Sequence, residues 1–105
     1  MILHSVSFRW HPEVTAEQVD ALTAALSQLP AQIPVLVSYH YGPDLGLREG
    51  NADYAVIALL QNPEDVDAYV DHPAHIELSR QHTQVMAASR SAVQFALPEN
   101  TTLDL

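Results

Sequence analysis

The sequence predicts an α+β domain with the order β-α-β-β-α-β, and three patterns carry that prediction. The first ten residues alternate between apolar and polar, and the next stretch spaces its apolar residues at helical intervals. Two strand-like runs then follow one another. A second helical stretch and a final alternating run close the chain.

From Ile2 to Trp10, residues Ile2, His4, Val6, Phe8 and Trp10 fall on one face of a strand, and Leu3, Ser5, Ser7 and Arg9 on the other. His11-Pro12 ends it, and Thr15 with Gln18 three residues later makes a capping box for the first helix. Val19, Leu22, Leu26 and Leu29 form its inward stripe, with Pro30 and Pro34 bracketing the exit. The β-branched and aromatic run from Val35 to Tyr41 suits a second strand. The glycine-bearing segment from Gly42 to Asn51 is too long for a tight hairpin. Asp53 to Leu60 reads as a third strand, and its nearly unbroken apolar run from Tyr54 implies burial on both faces.

Asn62 as cap, Pro63 in the first turn and Glu64 and Asp65 at the positive end of the dipole start the second helical region. Pro73 disfavours helical backbone at His72 and suits the start of a new helix. One helix should therefore stop near His72, with another running from Pro73 to about Ser89. Val93, Phe95 and Leu97 share a face of the last strand, and Pro98-Glu99-Asn100 opens a polar tail. The expected division is a domain over 1–98 and a tail over 99–105. This order is the split βαβ, ferredoxin-like arrangement, in which helices cover one face of an antiparallel sheet. With apolar residues on both faces, the uncovered side calls for a second subunit, so a homodimer is expected.

Charge and composition narrow the function. Hydrophobic residues make up 48% and charged ones 16%, a globular balance. Thirteen acidic against four basic residues (Arg9, Arg48, Arg80, Arg90) give a net charge of −9. Such a surface repels phosphate backbones and anionic headgroups, which argues against nucleic-acid or membrane partners. No apolar run approaches the roughly 18 residues of a membrane span, and the opening residues do not resemble a targeting segment, so a cytoplasmic location is expected. Without cysteine there is neither disulfide nor thiolate nucleophile. The chain contains no lysine and no Walker or dinucleotide glycine spacing, which excludes P-loop chemistry.

The segment Tyr69-Val70-Asp71-His72-Pro73-Ala74-His75 concentrates a phenol and two imidazoles at the helix break. Histidine is the side chain whose ordinary pKa lies nearest neutrality. His4, flanked by Ile2, Val6 and Phe8 on the inward strand face, is either a neutral proton acceptor or a core histidine satisfied by one hydrogen bond. His75 is either a base at the start of a helix or a packing residue of the junction, and His72 either reaches a pocket wall or caps the new helix. Tyr69 either donates its proton to a carbonyl gaining negative charge or is a half-buried aromatic. A metal site from His72, His75, Glu77 and His82 lacks a His-x-x-x-His pair within one helix and would need His4 or another distant ligand to complete it, so no metal is assigned. His11 and His40 look peripheral, and Asp65, Asp67 and Asp71 form a solvated face. Asp44, Arg48 and Glu49 suit either a lid or a subunit contact.

Three blocks resemble the stress-responsive dimeric α/β barrel (Dabb) family. They are His4-Ser5-Val6-Ser7-Phe8-Arg9-Trp10, Gly42-Pro43-Asp44 with Asn51-Ala52-Asp53-Tyr54, and Tyr69 to His75. The resemblance covers Met1 to Pro98 and implies a homodimer in which two sheets face one another as a barrel. Family members include the plant olivetolic acid cyclase and a plant hydroxynitrile lyase. By position, the resemblance makes His4, Tyr69 and His75 acid–base residues. It implies cofactor-independent chemistry on a carbonyl-containing or polyketide-like hydrophobic molecule, by aldol-type cyclisation, lyase or isomerase reaction. The expected site is a small apolar pocket between sheet and helices, lined by Val6, Phe8, Leu22, Leu26, Val56, His72, Leu78 and Met86. Two other readings stay open: a non-catalytic stress-responsive binder of a hydrophobic molecule, and a haem or metal binder, which colour or metal content would reveal.

Overall fold

The computed structural model describes residues 1–98, and the expected polar tail over 99–105 lies outside the described residues. Four strands, β1 (Ile2–Trp10), β2 (Ser38–Pro43), β3 (Tyr54–Leu60) and β4 (Ala87–Ala96), form one antiparallel sheet in the order β2-β3-β1-β4. The first crossover holds α1 (Ala16–Leu26) and α2 (Leu29–Gln32). The second holds α3 (Glu64–Val70), α4 (Pro73–Leu78), a π-helical turn (Ser79–Thr83) and α5 (Gln84–Met86). This is the ferredoxin-like α+β arrangement.

The core lies between the helices and one sheet face. Val6 and Phe8 of β1 and Tyr54, Val56, Ala58 and Leu60 of β3 meet Leu22, Leu26, Leu29, Ile33, Tyr69, Leu78 and Met86. The Thr15 capping box forms, its hydroxyl accepting from the Gln18 backbone while the Gln18 side chain accepts from the Thr15 N–H. The other face is mixed. Leu59 is buried there, Ile57 is partly covered and Ala55 is exposed, so β3 is enclosed on one face and only half enclosed on the other.

Several boundaries differ from those read in the sequence. The Leu22 to Leu29 stripe does not belong to one helix: α1 stops at Leu26, and Leu29 opens α2 while staying buried. Strand β2 starts at Ser38 instead of Val35. Val35 and Leu36 pack against the core from a turn in which the Leu36 N–H donates to the Ile33 carbonyl. Asn62 is not a side-chain cap. Its backbone N–H instead donates to Asp65 Oδ2, with Pro63 at the cap position. The segment expected to be helical to Ser89 turns to strand at Ala87, because Ala87 to Ser91 pair with Trp10 to Ser7 and sheet pairing outweighs the helical propensity of Ala-Ala-Ser-Arg. Leu97 lies beyond β4 but still donates its N–H to the Met1 carbonyl.

Candidate active site

Strand β1 presents His4 on the helix-covered face, between the Ala58 and Gln94 positions of its neighbours. The residue is 5% exposed. The Gln94 amide donates from Nε2 to His4 Nδ1 at 2.8 Å, so a neutral His4 carries its proton on Nε2. Burial first, then repulsion from His75 when that residue is protonated and from the Arg90 charge, hold its pKa below the ordinary histidine range. His4 is thus a neutral hydrogen-bond donor at neutral pH.

Tyr69, in the last turn of α3, is 1% exposed and forms the hub of the site. Its ring lies 4.7 Å from that of His75 and 5.7 Å from those of His4 and Tyr39, measured between centroids. The Tyr39 and Tyr69 hydroxyls are 2.6 Å apart. Burial pushes the Tyr69 phenol up to about 12, while its bond to Tyr39 and the Arg90 charge pull the other way. Tyr39 is driven higher still, chiefly by burial and also by Tyr69. Either hydroxyl can donate in this pair, and with Tyr39 as the donor the Tyr69 proton is free for a ligand.

The helix break sets the remaining group. Helix α3 ends at Val70, Asp71 leaves helical geometry and His72 is extended, as a residue before proline must be. His72 Nδ1 accepts from the Ala74 N–H at 3.1 Å and so caps α4. With α3 ended, the Val70 carbonyl accepts from His75 Nδ1 at 2.9 Å. The proton is thereby fixed on Nδ1, and Nε2 of neutral His75 holds the lone pair of a base. Burial is the main cause of a lowered His75 pKa, partly offset by the Val70 bond.

His4, Tyr69 and His75 line one cavity of about 340 Å³ between the sheet and the second helical region. Val6, Phe8, Leu26, Val56 and Leu78 form apolar walls. Three residues expected there do not reach it. Leu22 lies a turn before Leu26 and is wholly enclosed in the core, Met86 is buried beneath the start of β4, and His72 is turned into its capping role. Polar members of the wall escaped the sequence reading: Tyr39, Ser79, Thr83, Gln84, Ser89 and Arg90. The π-helical turn supplies Ser79 and Thr83 through an extra residue per turn that apolar spacing does not reveal. Gln94 and Arg90 sit on the β1 side of β4, where pairing with His4 and Phe8 makes both placements a matter of register. Among the described residues, no group of three or more His, Asp or Glu side chains gathers closely enough to hold a metal ion.

A family model described as the stress responsive A/B barrel domain, Dabb, matches residues 2–97. The chain belongs to the Dabb family. No functionally curated protein matches this Dabb chain. It is similar to a dimeric ferredoxin-like protein of unknown function from Thermobifida fusca YX, with 48% identity, a TM-score of 0.85, and 91% of this chain and 90% of that chain covered. It also shares its fold with the hydroxynitrile lyase from Passiflora edulis, at 17% identity and a TM-score of 0.79 over 96% of both chains. SnoaB, a cofactor-independent oxygenase from Streptomyces nogalater, shares the fold at 13% identity and a TM-score of 0.70, with 99% of this chain and 97% of that chain covered. No helix of this Dabb domain, among the described residues, is long and apolar enough to cross a membrane.

Proposed function

We propose that this Dabb protein catalyses cofactor-independent proton transfer next to a carbonyl, in the class of aldol-type cyclase, lyase or isomerase reactions. The observation that carries the reading is the tautomer of His75. Its Nδ1–H is committed to the Val70 carbonyl, and its Nε2 lone pair belongs to a group that shares a cavity with Tyr69 and His4. In this scheme the C–H bond α to the carbonyl breaks, its proton passes to His75 Nε2 and the electron pair moves onto the carbonyl oxygen. The Tyr69 O–H and the His4 Nε2–H stabilise that oxygen, as donors aimed at developing charge do. The fold is shared with a hydroxynitrile lyase and a cofactor-independent oxygenase, which is consistent with chemistry that needs no bound cofactor.

The active form is a homodimer in this reading. The Thermobifida fusca relative is described as dimeric, and the sheet face away from the helices carries Val93 and Phe95 at 55% and 49% exposure beside Leu3 and Ile57. Apolar side chains on an open face of this kind favour a protein partner.

Deuterium wash-in at the α-carbon of propiophenone, followed by NMR, tests the chemistry without knowledge of the natural substrate. Wild-type protein should accelerate the exchange, and His75→Gln should slow it by on the order of 10²-fold. Equal rates for the two proteins would remove His75 from the mechanism. The apolar walls also fit a protein that only binds a hydrophobic molecule. That reading is favoured if propiophenone binds the wild type without exchange.

A further inference from the structure

Arg90 is a charge with no hydrogen-bonding or ion-pairing partner among the described residues of an acidic molecule. Two of the other three cations are occupied: Arg9 donates to the Gly50 and Asn51 carbonyls, and Arg80 pairs with Glu77. Arg48 is exposed, as Arg90 also is, but it belongs to the loop before β3 and does not line the cavity. Arg90 makes no hydrogen bond or ion pair to any described residue, yet it lines the cavity that holds the candidate acid–base group. Its position opposite Phe8 puts it on the helix-covered face of the sheet. It is near enough to influence the titration of His4, Tyr69 and His75 alike.

The cavity wall combines two chemistries: Arg90, Ser89, Ser79, Thr83 and Gln84 supply polar groups, while Val6, Leu26, Val56 and Leu78 supply carbon surface. On a chain of net charge −9 an anion is drawn to the few cations, and Arg90 is the cation that lines this cavity. A planar guanidinium offers paired N–H donors that match a carboxylate. A volume of about 340 Å³ equals roughly eleven waters at their share of liquid volume, which suits a ligand of about ten non-hydrogen atoms.

We propose that Arg90 selects an anionic ligand, so that the cavity takes a small oxo acid whose carboxylate lies on Arg90 and whose ketone faces Tyr69, His4 and His75. The ketone end of this proposal rests on the acid–base reading above. The carboxylate end rests on Arg90 alone.

The test compares 4-oxohexanoate, a ketone acid small enough for the cavity, with its primary amide, which has the same size and an α-carbon beside the same ketone but no charge. Binding to the whole protein is followed by NMR shifts of labelled wild type, Arg90→Gln, Arg90→Lys and His75→Gln. Wild type should prefer the carboxylate by roughly tenfold or more, the scale of a charge-assisted paired hydrogen bond. Arg90→Gln should bring the ratio near one, Arg90→Lys should keep part of it, and His75→Gln should keep it in full. Equal binding of acid and amide by wild type, an unchanged ratio in Arg90→Gln, or no binding of either compound overturns the proposal. A preserved carboxylate preference without α-exchange in wild type would leave Arg90 as the anion site and retire the acid–base reading.

Discussion

Lowering the pH should destabilise this protein through two buried neutral histidines. In the unfolded chain His4 and His75 titrate near the ordinary value of about 6.5. In the folded chain burial holds both below it. Below about pH 6.5 the unfolded state therefore binds more protons than the folded state. Stability is full above that pH and falls as pH drops towards the folded-state values. Each histidine can contribute a slope of up to about 1.4 kcal/mol per pH unit in that window. Between about pH 7.5 and 5.5, His4 alone then accounts for a loss of up to about 1.4 kcal/mol. His75 contributes less, because it is more exposed and its bond to the Val70 carbonyl and the nearby Asp71 favour its charged form. Urea unfolding at fixed protein concentration should be measured at both pH values for wild type, His4→Gln, His75→Gln and the double variant. Subtraction removes the contribution of the carboxylates, which all four proteins share. The double variant should lose up to about 2 kcal/mol less than wild type over the interval. An identical loss in the two proteins would show that neither imidazole is held neutral by the fold, and the tautomer assignment of His75 as a free base would go with it.

Three further outcomes follow from the contacts. Tyr39→Phe and Tyr69→Phe should each destabilise by about 1–2 kcal/mol through loss of the 2.6 Å hydroxyl pair, with the double variant less affected than the sum by about 1 kcal/mol; strict additivity in urea unfolding would mean that the hydroxyls are not bonded. Removing the α4 cap with His72→Ala should cost about 1 kcal/mol, while His72→Asn, which can still accept from the Ala74 N–H, should recover most of it. Val93→Asp combined with Phe95→Asp should convert a dimer to a monomer in light scattering, and a dimer that persists would place the subunit contact elsewhere than on the open sheet face.

The legible parts of the fold were those governed by local chemistry. The alternation from Ile2 to Trp10, the Thr15–Gln18 box and the proline at residue 73 each act over a few residues, and each is found in the structure. The boundaries at Val35, Leu29 and Ser89 shifted because apolar residues beside an element satisfy the same core whether or not they belong to it. The candidate site divided along the same line. The His4, Tyr69 and His75 positions stood out as polar groups in an apolar strand and at a helix break. The cavity that they share requires α3 to lie against β1, which is a tertiary fact.

The sequence by itself determined the order of elements, the inward face of β1, the helix break at His72 and an acidic surface, because each follows from near-neighbour spacing or from simple counts. Only the tertiary structure decided which lone pairs and protons are free. The strand register brings Gln94 to His4, the sheet carries Tyr39 to the hydroxyl of Tyr69, and the end of α3 leaves the Val70 carbonyl for His75. Those contacts span up to 90 residues of chain, and hydrogen-bond direction at that separation depends on packing geometry that no local pattern encodes.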